Sequence, residues 1–151
     1  MSVRIEIVNS MELAEVIIGF QKEMAFETEG LNLEEGPLSQ GVKTVIRDPS
    51  KGTYYIASID NEVAGSLLLI PEWSDWRNKT VLWIHSVYVK PEFRKHGIFR
   101  KMYEHLRDMV LTREDLAGLR LFVDKRNDKA QKVYEAIGMS NEHYDLYEWL
   151  Q

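Results

Sequence analysis

The sequence contains no cysteine, and that excludes disulfides and thiolate metal sites. Its four histidines, His85, His96, His105 and His143, do not compensate, because their separations are not those of metal ligands, and no metal is expected. Long apolar runs are missing as well. No stretch approaches the roughly 20 residues that a membrane-spanning helix needs, and the opening "MSVRIEIVNS" lacks an apolar core of signal-peptide length. No membrane partner is expected, and a reducing cytoplasm fits the composition. Positive charge is in deficit too: 19 Lys+Arg stand against 24 Asp+Glu, a formal net charge of -5. General nucleic-acid binding leans on a broad basic surface, so that class of partner is excluded. There is no repeat and no low-complexity segment.

What is present is a chain of 151 residues, 44% hydrophobic and 28% charged, the size and balance of one domain, 1–151, with a core of its own. Alternation in "VRIEIV" predicts a first strand, and Asn9 followed by Glu12 has the form of a capping box. Leu13, Ile17, Phe20 and Met24 then share one helix face, which Gly30 ends. A second helix is expected over about 34–46. "TYYIASIDNEVAGSLLLIP" reads as two strands hinged at Asp60 and Asn61, "PEWSDWRNK" as a loop, and "TVLWIHSVYV" as a third long strand. Ile98, Met102, Leu106, Met109 and Val110 keep helical spacing, and "LRLFV" is a strand. Asn127 can cap a helix whose Ala130, Val133, Tyr134 and Ile137 share a face, with Gly138 at its end. "EHYDLYEWL" is expected to close the chain as a strand. The resulting order, β, α, α, β, β, β, α, β, α, β, is that of a mixed α/β domain.

Two local charge asymmetries stand out against the acidic whole. Lys90, Arg94, Lys95, Arg100 and Lys101 oppose a single acid, Glu92. The turn "RKHG" places Arg94, Lys95, His96 and Gly97 at a helix N-terminus, where amides and the helix dipole attract anions and glycine permits close approach. Taken alone the turn reads equally as an anion site or as a glycine turn with solvated side chains. Conversely, Glu23, Glu27, Glu29, Glu34 and Glu35 fall in a stretch without lysine or arginine. That run is either a solvated helix face or a wall for a cationic ligand.

With its surroundings the turn resembles the acetyl-CoA-binding motif of the GNAT N-acetyltransferases, [RQ]-x-x-G-x-[GA] after a strand ending V-x-V-x-P. "VYVKPEFRKHGIF" supplies Val87, Val89, Pro91, Arg94 and Gly97 in register, while Phe99 stands where the family usually has glycine or alanine. "NDKAQKVYEAIGM" is similar to the family's second signature, with Asn127, Ala130, Tyr134, Gly138 and Met139 in order. The resemblance runs over nearly the whole chain.

The resemblance implies a GNAT fold: a mixed, mostly antiparallel sheet flanked by helices, with a splayed strand pair holding the acetyl-CoA co-substrate. Val87, Tyr88 and Val89 would meet the pantetheine arm, and an amide near Val87 or Tyr88 would serve as oxyanion donor. Arg94, Lys95, His96, Gly97, Ile98, Phe99 and Arg100 would surround the pyrophosphate, with Asn127 and Tyr134 also on the cofactor side. Tyr134 would protonate the departing sulfur. His85, in the strand just before the cofactor-binding backbone, is the candidate base, against a plain strand histidine and against Glu27 and Glu29 as rival bases. Phe26, Glu27 and Glu29 are the candidate acceptor contacts, and Trp73 and Trp76 either line the same pocket or cover core. The implied reaction is acetyl transfer to a primary amine of a small cationic molecule in a ternary complex. A non-catalytic acyl-CoA-binding module and a peptide or protein N-terminal acetyltransferase are the alternatives, and a homodimer is left open.

Overall fold

The computed structural model describes residues 2–151, and the chain divides into two compact units, the first ending at Leu121 and the second being Phe122–Gln151. The first contains β1 (Val3–Ile7), a 3-10 turn (Met11–Leu13), α1 (Ala14–Glu29), α2 (Glu35–Arg47), β2 (Thr53–Ile59), β3 (Glu62–Ser74), β4 (Lys79–Val89), α3 (Ile98–Thr112) and β5 (Leu116–Leu121). Its five strands lie in chain order, β1-β2-β3-β4-β5. The first three pairings are antiparallel and β4 with β5 is parallel, as expected of a mostly antiparallel mixed sheet.

Strand β2 shows why the sheet takes helices on both faces, for it is buried on both. Tyr54 and Ile56 join Ile17 and Ile18 of α1, Val42 of α2 and Leu68 of β3 in one core cluster. The intervening Tyr55 points the other way. Its hydroxyl donates to Met109 Sδ at 3.7 Å and its ring meets His105 edge-on at 6.0 Å, both on α3. Near-continuous apolar strands are what a sheet covered on both faces requires. Water exclusion at each fully buried side chain, such as Ile17, Leu67 or Met102, contributes about 1.5–3 kcal/mol.

The hinge at Asp60 and Asn61 is a tight hairpin turn with φ of 51° and 66°, values that asparagine and aspartate tolerate better than most residues. Gly30 ends α1 at φ 64°. Three expectations need correction. The residue flanking the 3-10 turn is Ser10, with no side-chain capping bond, so Asn9 and Glu12 form no capping box there. "PEWSDWRNK" is not all loop, because β3 continues through Ser74. β2 begins at Thr53, opposite Leu69, so at Pro71 strand β3 has β4 as its one neighbour, and proline is tolerated. Finally, β5 begins three residues before Leu119 and stops at Leu121.

The second unit contains α4 (Asp128–Ala136), capped as expected: Asn127 Oδ1 accepts the Ala130 N–H at 3.1 Å. Gly138 follows it at φ 94°. Before it, Arg126 and its amide hold the Asp124 carboxyl far below the usual carboxylate range. The predicted closing strand is not formed. Residues 143–151 are not in a strand, and Tyr147, Trp149 and Leu150 are exposed. Alternation by itself is a weak strand signal, because strand preference depends on packing context.

Candidate active site

The site is built at the end of β4. β5 accompanies β4 only from Thr80 to Ile84, so β5 does not follow residues 85–89, and the two strands part at His85. On the other edge Tyr88 faces Ser66 while His85 faces Leu68, which leaves one extra residue on β4. Ser86 carries it with φ 54°, a bulge of the kind that re-aims backbone groups. Gly65 lies opposite Val89, and a Cβ there would stand 2.5 Å from the Tyr88 carbonyl oxygen. Only glycine lets β3 come this close to the end of β4.

Past Pro91 the chain makes a short 3-10 turn, Pro91–Phe93, and enters α3 through two left-handed residues, Lys95 (φ 65°) and Gly97 (φ 73°). The first rung of the helix is Lys101 N–H to Gly97 C=O at 3.0 Å, so the amides before it lie outside the helical ladder. No side chain caps this end, no acid sits in the first turn, and a Cβ at Gly97 would meet open space. Lys95, His96 and Arg100 are exposed around it, Ile98 is buried beneath, and the Phe99 ring runs back along the helix to Tyr103, 6.4 Å away. The turn fits a diphosphate: bare amides, a glycine with room above it and cations at the rim.

Arg94 behaves differently from its neighbours. Its Nε donates to Val89 O at 2.8 Å, its Nη2 to Glu27 Oε2 at 2.7 Å, and its guanidinium lies 5.5 Å from the centre of the Tyr88 ring. The structure thus brings together a residue expected on the cofactor and one expected on the acceptor. Tyr88 is buried and packs on Phe20 of α1 at 5.0 Å. Burial, and after it the Glu27 carboxylate, push its hydroxyl up.

His85 is half-buried on β4, beside Trp83 at 6.4 Å between ring centres, and burial lowers its pKa below the usual 6.5. The imidazole is therefore neutral at physiological pH. Phe26, Glu27 and Glu29 lie at the C-terminal end of α1, where Phe26 is 60% exposed and Glu29 also faces solvent. Trp73 and Trp76, at 62% and 90% exposed, cover no core. In the second unit, burial pushes the Tyr134 hydroxyl up, so it holds its proton at neutral pH. Among the described residues no three metal-ligating side chains cluster.

Sequence reasoning missed Ser86, Gly65 and the Arg94–Glu27 contact. A glycine in an apolar run, as at Gly65, is the one available signal, since it marks a bulge or a close approach. Ser86 carries no such mark.

Strand β4 thus leaves its parallel neighbour, bulges at Ser86 and leads into a helix start that no side chain caps. Residues 18–139 match the Acetyltransferase (GNAT) family model, and the chain belongs to that family. It is 34% identical to a possible acetyltransferase from Clostridium difficile, over 100% of this chain and 99% of that one, with a TM-score of 0.92. An aminoglycoside acetyltransferase from an uncultured soil metagenomic sample, in complex with sisomicin, shares the fold at a TM-score of 0.78 and 16% identity, over 99% of this chain and 95% of that one. Over 76 residues the sequence is 32% identical to a thialysine N-epsilon-acetyltransferase from Bos taurus, covering 50% of this chain and 44% of that protein. An uncharacterized N-acetyltransferase from Archaeoglobus fulgidus is 34% identical over 80 residues, 52% of this chain and 54% of the other. The matched stretches thus span about half the length of these two relatives.

Proposed function

We propose that this protein is an acetyl-CoA-dependent N-acetyltransferase that moves an acetyl group to the primary amine of a small cationic acceptor by direct attack in a ternary complex. The observation that carries the reading is the parting of β4 from β5 at His85, followed by the bulge at Ser86 and the left-handed turn at Gly97. We also read residues 1–151 as one domain, because the family match at 18–139 crosses the boundary at Leu121. No described helix is long and apolar enough to cross a membrane; on this reading the protein acts in the cytoplasm without a membrane partner. Nucleic acid is not a partner on this reading.

The thioester supplies an activated acetyl group; the protein must supply a neutral amine, an aligned backbone and a proton for the leaving sulfur. An alkyl amine with a pKa of about 10.4 is only about 0.1% neutral at physiological pH, a deficit of roughly 4 kcal/mol. His85, kept neutral by burial, takes that proton directly or through a water. An amide near Val87 or Tyr88 faces the developing oxyanion. The amides and cations from Lys95 to Arg100 hold the diphosphate. Asn127 fixes the start of α4, and Tyr134 donates its proton as the sulfur leaves. Glu29 and Phe26 present an acid and an aromatic face at the end of α1, which favours a cationic acceptor. The names of similar proteins, a thialysine and an aminoglycoside acetyltransferase, also point to amines.

A thiol-release assay with acetyl-CoA and a panel of polyamines, amino sugars, lysine-like amines and one peptide tests the reading. Turnover of a small amine in preference to the peptide is expected. CoA binding with no turnover across the panel would leave the acyl-CoA-binding module, and preference for the peptide would leave the N-terminal acetyltransferase.

A further inference from the structure

The contacts of Arg94 give Glu27 a role other than holding the acceptor. Phe20 and Glu27 are seven residues apart on α1, two turns, and so lie on one face of the helix. Both reach the end of β4: the Phe20 ring sits 5.0 Å from the Tyr88 ring, and Glu27 Oε2 accepts from Arg94 Nη2 at 2.7 Å. The same guanidinium donates from Nε to the Val89 carbonyl at 2.8 Å and lies over Tyr88. A guanidinium is a rigid plane with donors at fixed angles. With one edge held by Val89 and another by Glu27, the plane is fixed, and the backbone at Arg94 is tethered just before the left-handed pair Lys95 and Gly97. A contact bridging 67 positions of sequence therefore sets the entry into the diphosphate turn.

We propose that Glu27 is a positioning residue for acetyl-CoA: through Arg94 it holds the path from Val89 to Gly97 in its binding shape, and so couples α1, on the acceptor side, to the cofactor turn. The inference rests on the acetyl-CoA reading above. It also takes Glu27 out of the list of bases, since its carboxylate is committed to Arg94.

The sign of the effect separates this role from plain electrostatics. A carboxylate near a diphosphate repels it, so neutralising Glu27 without any clasp would tighten CoA binding or leave it unchanged. A clasp predicts the opposite. CoA affinity is measured by isothermal titration on the full chain, without acceptor, for wild type, Glu27→Gln, Arg94→Gln, the double variant and Glu15→Gln. The last makes the same charge change elsewhere on α1. Glu27→Gln should weaken CoA about 3- to 10-fold, the scale of a half-exposed ion pair joined to a backbone hydrogen bond. The double variant should bind no more weakly than Arg94→Gln, because the two changes break one interaction. Glu15→Gln should match wild type, and melting temperatures should hold throughout. Unchanged or tighter binding in Glu27→Gln, or additive losses in the double variant, overturns the inference. Failure of the wild type to bind CoA overturns the acetyl-CoA reading itself and this inference with it.

Discussion

At the scale of the residue, the proposed chemistry would rest on two side chains whose proton affinities burial displaces in opposite directions. Burial lowers His85 below 6.5, so its neutral form persists to lower pH than that of an exposed imidazole. If His85 takes the amine proton, kcat/KM should fall on the acid side with an inflection below 6.5, and His85→Gln should lose about 10- to 1000-fold at neutral pH together with that inflection. A pH-rate profile of both proteins checks it, and an inflection retained in the variant would move the role to another base. Tyr134 is displaced upward by burial, and on the proposed mechanism it would hold its proton until the sulfur leaves. A thiol with a pKa of about 8.5 departs tolerably as the thiolate, so Tyr134→Phe should cost only about 10- to 100-fold in kcat while CoA affinity and melting temperature hold. An unchanged kcat, in an assay limited by chemistry, would make Tyr134 a packing residue.

At the scale of the element, the site depends on how far each strand runs beside its neighbour. The approach of β3 to β4 at Gly65 leaves no room for a side chain, since the obstacle 2.5 Å from an added Cβ is backbone oxygen. Gly65→Ala should therefore push the end of β4 outward. We expect a loss of about 1–3 kcal/mol in unfolding free energy and weaker CoA binding, measured by denaturation and titration on the same sample. Stability and affinity equal to wild type would show that the close approach has slack. What was legible in the sequence follows from the same distinction between local and tertiary causes. Asp60 and Asn61 announced their turn because the conformation is written into those two residues. Gly30, Gly97 and Gly138 did so likewise, each at a positive φ. The faces of α1 and α3 were legible as spacing, and Ile17, Phe20, Ile98, Met102 and Leu106 are indeed buried. Pro71 was misread because its tolerance depends on where β2 begins, a fact about another strand. The tail at 143–151 was misread because alternation alone does not make a strand. The clasp of Arg94 on Glu27 was beyond reach, because both residues had separate assignments and nothing local joins them.

At the scale of the whole molecule, the absence of cysteine bears on the order of events. A two-step transfer through the protein requires a nucleophile that accepts the acetyl group and gives it up again, and the side chain best suited to that exchange is a thiol. The groups near the parting of β4 and β5 suit a different task. On the proposed reading His85 would be a neutral base, Ser86 sits at a bulge, and the adjoining amides would favour an oxyanion, which suits one direct attack with both substrates present. Initial rates measured against both substrates should then give intersecting reciprocal lines, and intact mass spectra after incubation with acetyl-CoA alone should show no stoichiometric, rapidly formed acetyl adduct. Slow, scattered lysine acetylation would not count, because an intermediate must form at least as fast as turnover. Parallel lines, together with an adduct that disappears when amine is added, would sink the ternary-complex mechanism and send the search to Ser86 as the carrier, the one hydroxyl on the unaccompanied end of β4 that lies beside His85 in sequence.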